Sequence, residues 1–171
     1  MKRVIFICGT MGVGKTATCR ALQDILERNV FLDGDWCWDA RPFVVNERTK
    51  RMATDNIVHM LNSFIACPDY ENVIFCWVMH EQQIVDSIAS QLRGIFELRV
   101  FALTCAPEVL KARIEADVAR GVRTEDVIAR SLPRLPLYAA LDATLIDTTS
   151  LDACGAARAI ADDLARQDVH M

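Results

Sequence analysis

Five short apolar runs punctuate the chain, at residues 4–8, 30–32, 73–79, 98–103 and 143–146. They are rich in Val, Ile, Leu and Phe and show no alternation with polar residues, the pattern of strands buried on both faces. Helix-length amphipathic segments separate them. Residues 16–27 carry Leu22, Ile25 and Leu26 on one side, and residues 47–65 carry Ile57, Val58, Leu61, Phe64 and Ile65 at helical spacing. Residues 81–92 repeat the pattern with Ile84, Val85, Ile88 and Leu92, and residues 107–119 open on a first-turn proline and stop short of Gly121. Ser150 is placed to cap a last helix reaching Arg166. Strand then helix, repeated along the chain, predicts an α/β fold: a parallel sheet covered by helices on both faces.

Two stretches break the regularity, one from Trp36 to about Arg51 and one from Gly121 to about Tyr138. Both are charged or aromatic and follow strand ends or the helices above them, where open α/β sheets bind ligands. They are the expected moving parts.

Composition narrows the function. At 171 residues, 52% of them hydrophobic, the chain suits one domain with a sizeable core. Nineteen basic against 23 acidic residues leave a formal charge of -4, so no global cationic field exists to hold a nucleic acid polymer. Seven scattered cysteines without a Cys-x-x-Cys pair suit neither a disulfide framework nor a structural zinc site. They read as reduced thiols of a cytoplasmic protein; Cys8, Cys76 and Cys105 lie in apolar runs, and only Cys37, between two tryptophans, stands apart. The first apolar run ends at Gly9, too short for a secretory signal, and no run reaches the length of a membrane span.

The candidate chemistry starts at Gly9-Thr10-Met11-Gly12-Val13-Gly14-Lys15-Thr16, directly after a buried strand and directly before a helix. This is the context of a phosphate-binding loop, in which glycines let backbone N–H groups turn toward phosphate oxygens and the helix N-terminus adds partial positive charge. A plain glycine-rich turn is the competing explanation, but with Gly at about 7% of residues the fixed positions match by accident in fewer than about one in a hundred such chains. The nucleotide-contacting candidates are Gly9, Met11, Gly12, Val13, Gly14, Lys15, Thr16 and Ala17. Lys15 is placed to reach the β- and γ-phosphates and Thr16 to ligate Mg²⁺.

No Asn-Lys-x-Asp guanine motif occurs, and the strand at 73–79 is followed by His80-Glu81 rather than Asp-Glu. Both a GTPase and a motor-type ATPase fit poorly. Arginines gather instead near the second insertion: Arg113, Arg120, Arg123, Arg130 and Arg134. Such a group can neutralise a transferring phosphoryl when a lid shuts out water, although helical arginines also form plain surface pairs with Glu115, Asp117 and Glu125. Asp33 and Asp35 stand two apart at a strand end and so point the same way, toward the loop.

Taken in order, these motifs resemble the nucleoside monophosphate kinase and small-molecule kinase group that includes adenylate, shikimate and gluconate kinases and chloramphenicol phosphotransferase. Arg123-Thr124-Glu125-Asp126, then Arg134 and Tyr138, is similar to the adenylate kinase lid, with Glu125 in place of its first Asp. "VFLDGDW" resembles the Asp-Gly-Asp of gluconate kinase and the Asp-x-Asp of shikimate kinase, and "LIDTTS" resembles the turn on which these kinases rest adenine. The His-Pro that follows Asp-Gly-Asp in gluconate kinase is replaced here by Trp36-Cys37-Trp38-Asp39, which counts against gluconate as acceptor.

The resemblance implies a three-layer, doubly wound, five-stranded parallel sheet of order 2-3-1-4-5. It also implies one kinase domain over residues 1–171, with an acceptor-binding insertion at about 36–70 and a lid at about 113–138. The expected activity is transfer of the γ-phosphoryl of ATP, with Mg²⁺, to a small-molecule acceptor. By the same resemblance Lys15, Asp35, Arg123 and Arg130 are catalytic; Arg113, Thr148 and Thr149 join the nucleotide site; and Asp33 holds Mg²⁺ through water while Asp35 takes the acceptor's proton. Asp33, Asp35, Trp36, Arg41, His80 and Arg134 are the acceptor-side candidates. The acceptor stays open among a nucleoside or nucleotide, a sugar or metabolite hydroxyl, and an antibiotic, and so does the oligomeric state. A nucleotide-binding ATPase switch without a small acceptor is the alternative from another class.

Overall fold

The first strand of the computed structural model, β1 (Lys2–Cys8), lies at the centre of the molecule, and Val4 through Cys8 are fully buried. A strand can be apolar on both faces only if helices cover both, and that is how the rest of the chain is arranged. The structure describes residues 1–168. β2 (Asn29–Asp33), β3 (Asn72–Trp77), β4 (Phe96–Thr104) and β5 (Thr144–Asp147) complete a parallel sheet of order β2-β3-β1-β4-β5. This is the expected order.

The helices are α1 (Lys15–Ile25), α2 (Glu47–Ala66), α3 (Gln82–Ala89), α4 (Pro107–Ala119), α5 (Asp126–Ser131) and α6 (Ala153–Asp168). Two core layers form on the two faces of the sheet. Ile5, Ile7, Ile74 and Phe101 pack with Leu22 of α1, Ile114 of α4 and Ile160 of α6 on one face. Val4, Phe6, Phe75 and Ala102 pack with Ile57 and Leu61 of α2, Val85 of α3 and Tyr138 on the other. Among the described residues no helix is long and apolar enough to cross a membrane.

Some boundaries differ from expectation. The last helix begins at Ala153 rather than near Ser150, because the Asp152 carboxylate accepts the Gly155 N–H at 2.7 Å and so supplies the cap. α3 ends at Ala89 rather than Leu92, as its last turn tightens into i to i+3 bonds from Gln91 to Ile88 and from Leu92 to Ala89. The second insertion holds α5 and a 3₁₀ segment, Leu132–Ala140, anchored by the fully buried Tyr138, whose hydroxyl donates to the Val78 carbonyl at 2.7 Å.

The first insertion starts with a 3₁₀ turn, Gly34–Trp38, and regains order at α2, where Asn46 and Thr49 form a reciprocal capping box. Lys2 holds the far end of α2. Its ammonium donates to the carbonyls of Phe64, Ile65 and Cys67 at 3.2, 2.6 and 2.6 Å, placing a cation where the last-turn carbonyls carry negative charge.

Candidate active site

A cleft of about 430 Å³ opens at the carboxyl ends of the strands, where the topology reverses between β1 and its neighbours. Met11, Gly12, Gly14, Lys15, Thr16 and Ala17 form its floor, Asp33 and Asp35 one wall, and Arg113, Asp117, Arg120 and Arg123 the other. Parallel pairing of β1 with β3 and of β3 with β2 brings the loop after β1 and the Asp-Gly-Asp after β2 to the same edge of the sheet.

Gly12 has φ +84°, and a Cβ there would lie 2.5 Å from Cγ1 of Ile114, so only glycine lets the loop seat this closely on α4. Gly9 and Val13, within the loop itself, are buried and do not line the cleft. The Lys15 ammonium donates to the Thr10 carbonyl at 3.0 Å, folding over the loop. Burial holds Lys15 below the usual lysine range although the residue is part-exposed to the cleft; Cys76, Asp35 and Asp33 pull the other way. Beneath it, burial pushes the Cys8 thiol up to about 12, as expected of a core residue.

Thr16 and Asp33 meet directly: the hydroxyl donates to Asp33 Oδ2 at 2.6 Å, and Asp33 Oδ1 accepts the Asp35 N–H at 3.1 Å. A hydroxyl and a buried carboxylate side by side at a phosphate-binding loop are hard oxygen donors that suit Mg²⁺. Among the described residues no group of three or more His, Cys, Asp or Glu would hold a metal by itself. These residues therefore fit an ion shared with phosphate oxygens, as Mg²⁺ commonly is. Asp35, exposed to the cleft, accepts the indole N–H of Trp77 at its Oδ1, 3.1 Å away.

The arginine wall divides in two. Arg123 and Arg120 both donate to Asp117, at 2.9 and 2.5 Å. Burial works to raise the Asp117 carboxyl, but the two guanidiniums outweigh it and hold it below its ordinary value. Arg113 turns inward instead: its two terminal nitrogens donate to the Val13 carbonyl, Thr148 Oγ1, the Thr148 carbonyl and the Leu151 carbonyl at 2.6–3.3 Å. It ties the phosphate loop to the turn after β5. Thr148 is buried, while Thr149 is exposed, with its hydroxyl donating to Asp147 and accepting the Ala106 N–H.

Besides Gly9, Val13, Thr148 and Thr149, five further expected site residues do not line this cleft. Trp36, 53% exposed, stands edge-on to Phe31 and under the guanidinium of Arg20. Arg41 is exposed in the first insertion. Arg130 pairs with Asp126 at 2.8 Å, one turn back on α5. His80 and Arg134 are also absent from the lining; burial first, then the Arg134 charge, lower the His80 pKa. Asp117, which lines the cleft, and Trp77, which reaches it only through its bond to Asp35, carry no site signal in the sequence. Asp117 was legible only as a partner for surface arginines, and Trp77 only as one more member of an apolar run.

The family model described as AAA domain matches residues 5–130. The chain belongs to this family. Solved structures of the same fold include the tunicamycin resistance protein of Deinococcus radiodurans, 18% identical with a TM-score of 0.68 over 96% of both chains. A gluconokinase from Sinorhizobium meliloti is 17% identical with a TM-score of 0.64, again over 96% of both chains. Shikimate kinase from Acinetobacter baumannii, solved with shikimate, is 21% identical with a TM-score of 0.67 over 98% of this chain and 95% of that one. These likenesses place the chain in the P-loop kinase-like fold. No curated protein matches it by sequence.

Proposed function

We propose that the protein transfers the γ-phosphoryl group of ATP to the hydroxyl of a small molecule bound against Asp35. The observation that carries this reading is the convergence of loop, carboxylate pair and arginines on one cleft, with Lys15, Thr16, Asp33, Asp35 and Arg123 lining it. Arginine and lysine on the phosphate side and a free carboxylate opposite are what in-line phosphoryl transfer requires.

The loop N–H groups and Lys15 bind the phosphates. Thr16 and Asp33 would hold Mg²⁺, whose charge offsets that of the phosphate oxygens when it is bound. The acceptor oxygen attacks the γ-phosphorus, its proton passes to Asp35, and the bond to the β-phosphate oxygen breaks to release ADP. Arg123, freed from Asp117, would follow the charge on the transferring group. Residues 36–70 would form the acceptor side and residues 113–138 the lid, in a single kinase domain.

The test is transfer of label from [γ-³²P]ATP to a pooled metabolite extract, supplemented with antibiotics because one neighbour is a resistance protein, followed by chromatography. A labelled product formed by the protein and absent with Lys15→Ala supports the reading. Hydrolysis to phosphate alone, stimulated by a protein partner, would favour the ATPase switch.

A further inference from the structure

Trp77 ends β3, where the register sets Cys76 opposite Asp33 and so brings the next residue alongside the Asp-Gly-Asp turn. The turn rests on its indole: a Cβ on Gly34 would lie 2.6 Å from Trp77 Cγ and 2.7 Å from Cδ1. Only glycine permits so close an approach of backbone to ring. From this position the indole N–H donates to Asp35 Oδ1 at 3.1 Å, while the Asp35 N–H is held by Asp33. Among the described residues Asp35 Oδ2 has no hydrogen-bond donor, so one oxygen is fixed and the other is available.

We propose that Trp77 is a positioning residue for phosphoryl transfer, fixing one oxygen of Asp35 with its indole N–H so that the other faces the acceptor hydroxyl. The inference rests on the reading of Asp35 as the acceptor-side carboxylate. Asp35 is exposed, and an exposed aspartate is otherwise free to rotate about both side-chain torsions. The indole is rigid, packed under Gly34, and donor-only, so it selects one carboxylate orientation without competing for the acceptor's proton. Thr16 and Asp33 are oriented by each other; Asp35 needs an outside partner, and Trp77 is that partner.

Trp77→Phe keeps a ring under Gly34 and deletes the donor. Label transfer from [γ-³²P]ATP to the extract should fall by about tenfold or more, with the KM for ATP within about twofold of wild type and the melting temperature nearly unchanged. Adding Trp77→Phe to Asp35→Asn should cost much less than it does alone, since the pair acts as a unit. Undiminished transfer by folded Trp77→Phe, or full additivity with Asp35→Asn, overturns the inference. Full transfer by Asp35→Asn alone overturns the role of Asp35 instead. A readout independent of activity and of the Trp77 variant's folding is the indole ¹H–¹⁵N resonance of Trp77. In Asp35→Ala it should shift while those of Trp36 and Trp38 stay; an unmoved Trp77 resonance would also sink the proposal.

Discussion

Replacing Arg113 with Ala should damage the fold before it damages the chemistry. Four contacts are lost, to the carbonyls of Val13, Thr148 and Leu151 and to the Thr148 hydroxyl. A hydrogen bond to a charged group contributes roughly 1.5–3 kcal/mol, but four sharing one side chain are far from additive, and Arg113 is part-exposed, so water replaces some of them. Thr148, buried and already donating to the Thr104 carbonyl at 3.0 Å, is the place where water cannot easily follow. The net loss should be about 2–4 kcal/mol. For a domain of this length that lowers the melting temperature by roughly 5–15 °C. Differential scanning calorimetry without nucleotide reads this directly, and Arg113→Lys should recover only part of it, since an ammonium cannot span both sides of the fork. A melting temperature within about 2 °C of wild type for Arg113→Ala, with MgATP affinity lost, would refute this account and make Arg113 a simple nucleotide ligand.

Arg123→Ala should lower kcat for label transfer far more than it raises the KM for ATP, whereas Arg130→Ala, which removes a pair with Asp126 on the protein's surface, should change either by less than about threefold; equal effects of the two would contradict the division drawn here. The His80 pKa is lowered by burial, so on acidification the unfolded chain takes up a proton first and stability falls as pH drops through the ordinary value of 6.5 toward the folded one. Melting temperatures between pH 7 and pH 5 should therefore decline less steeply in His80→Gln than in wild type, and identical slopes would count against a half-buried neutral His80. Asp117 behaves with the opposite charge: its depressed carboxyl stabilises the fold above its ordinary value of 3.8 and loses that contribution only as pH falls through the folded value.

The sheet was readable because a strand covered on both faces has nowhere to put polar residues; the runs at 4–8 and 73–79 leave little freedom in assignment. The phosphate loop was readable because its glycines answer to backbone geometry that few other sequences satisfy. Aromatic side chains carried no such constraint. In sequence Trp36 and Trp38 are equally consistent with a ligand wall or with packing, and Trp77 is one more member of an apolar run; only tertiary placement shows Trp36 beside Arg20 and Trp77 beneath Gly34. Arg113 was legible as a cation near the site but not as a clamp on carbonyls, since backbone acceptors leave no mark in sequence. The start of α6 turned on which of two nearby polar residues capped it, Ser150 or Asp152, and propensity does not separate them.

The central claim is that the acceptor meets the γ-phosphate at Asp35. Asn keeps the shape of that side chain and cannot take the proton, so Asp35→Asn should bind MgATP by calorimetric titration nearly as tightly as wild type while transferring label from [γ-³²P]ATP roughly a hundredfold more slowly or worse. Wild-type transfer by Asp35→Asn, with MgATP affinity intact, would contradict the account.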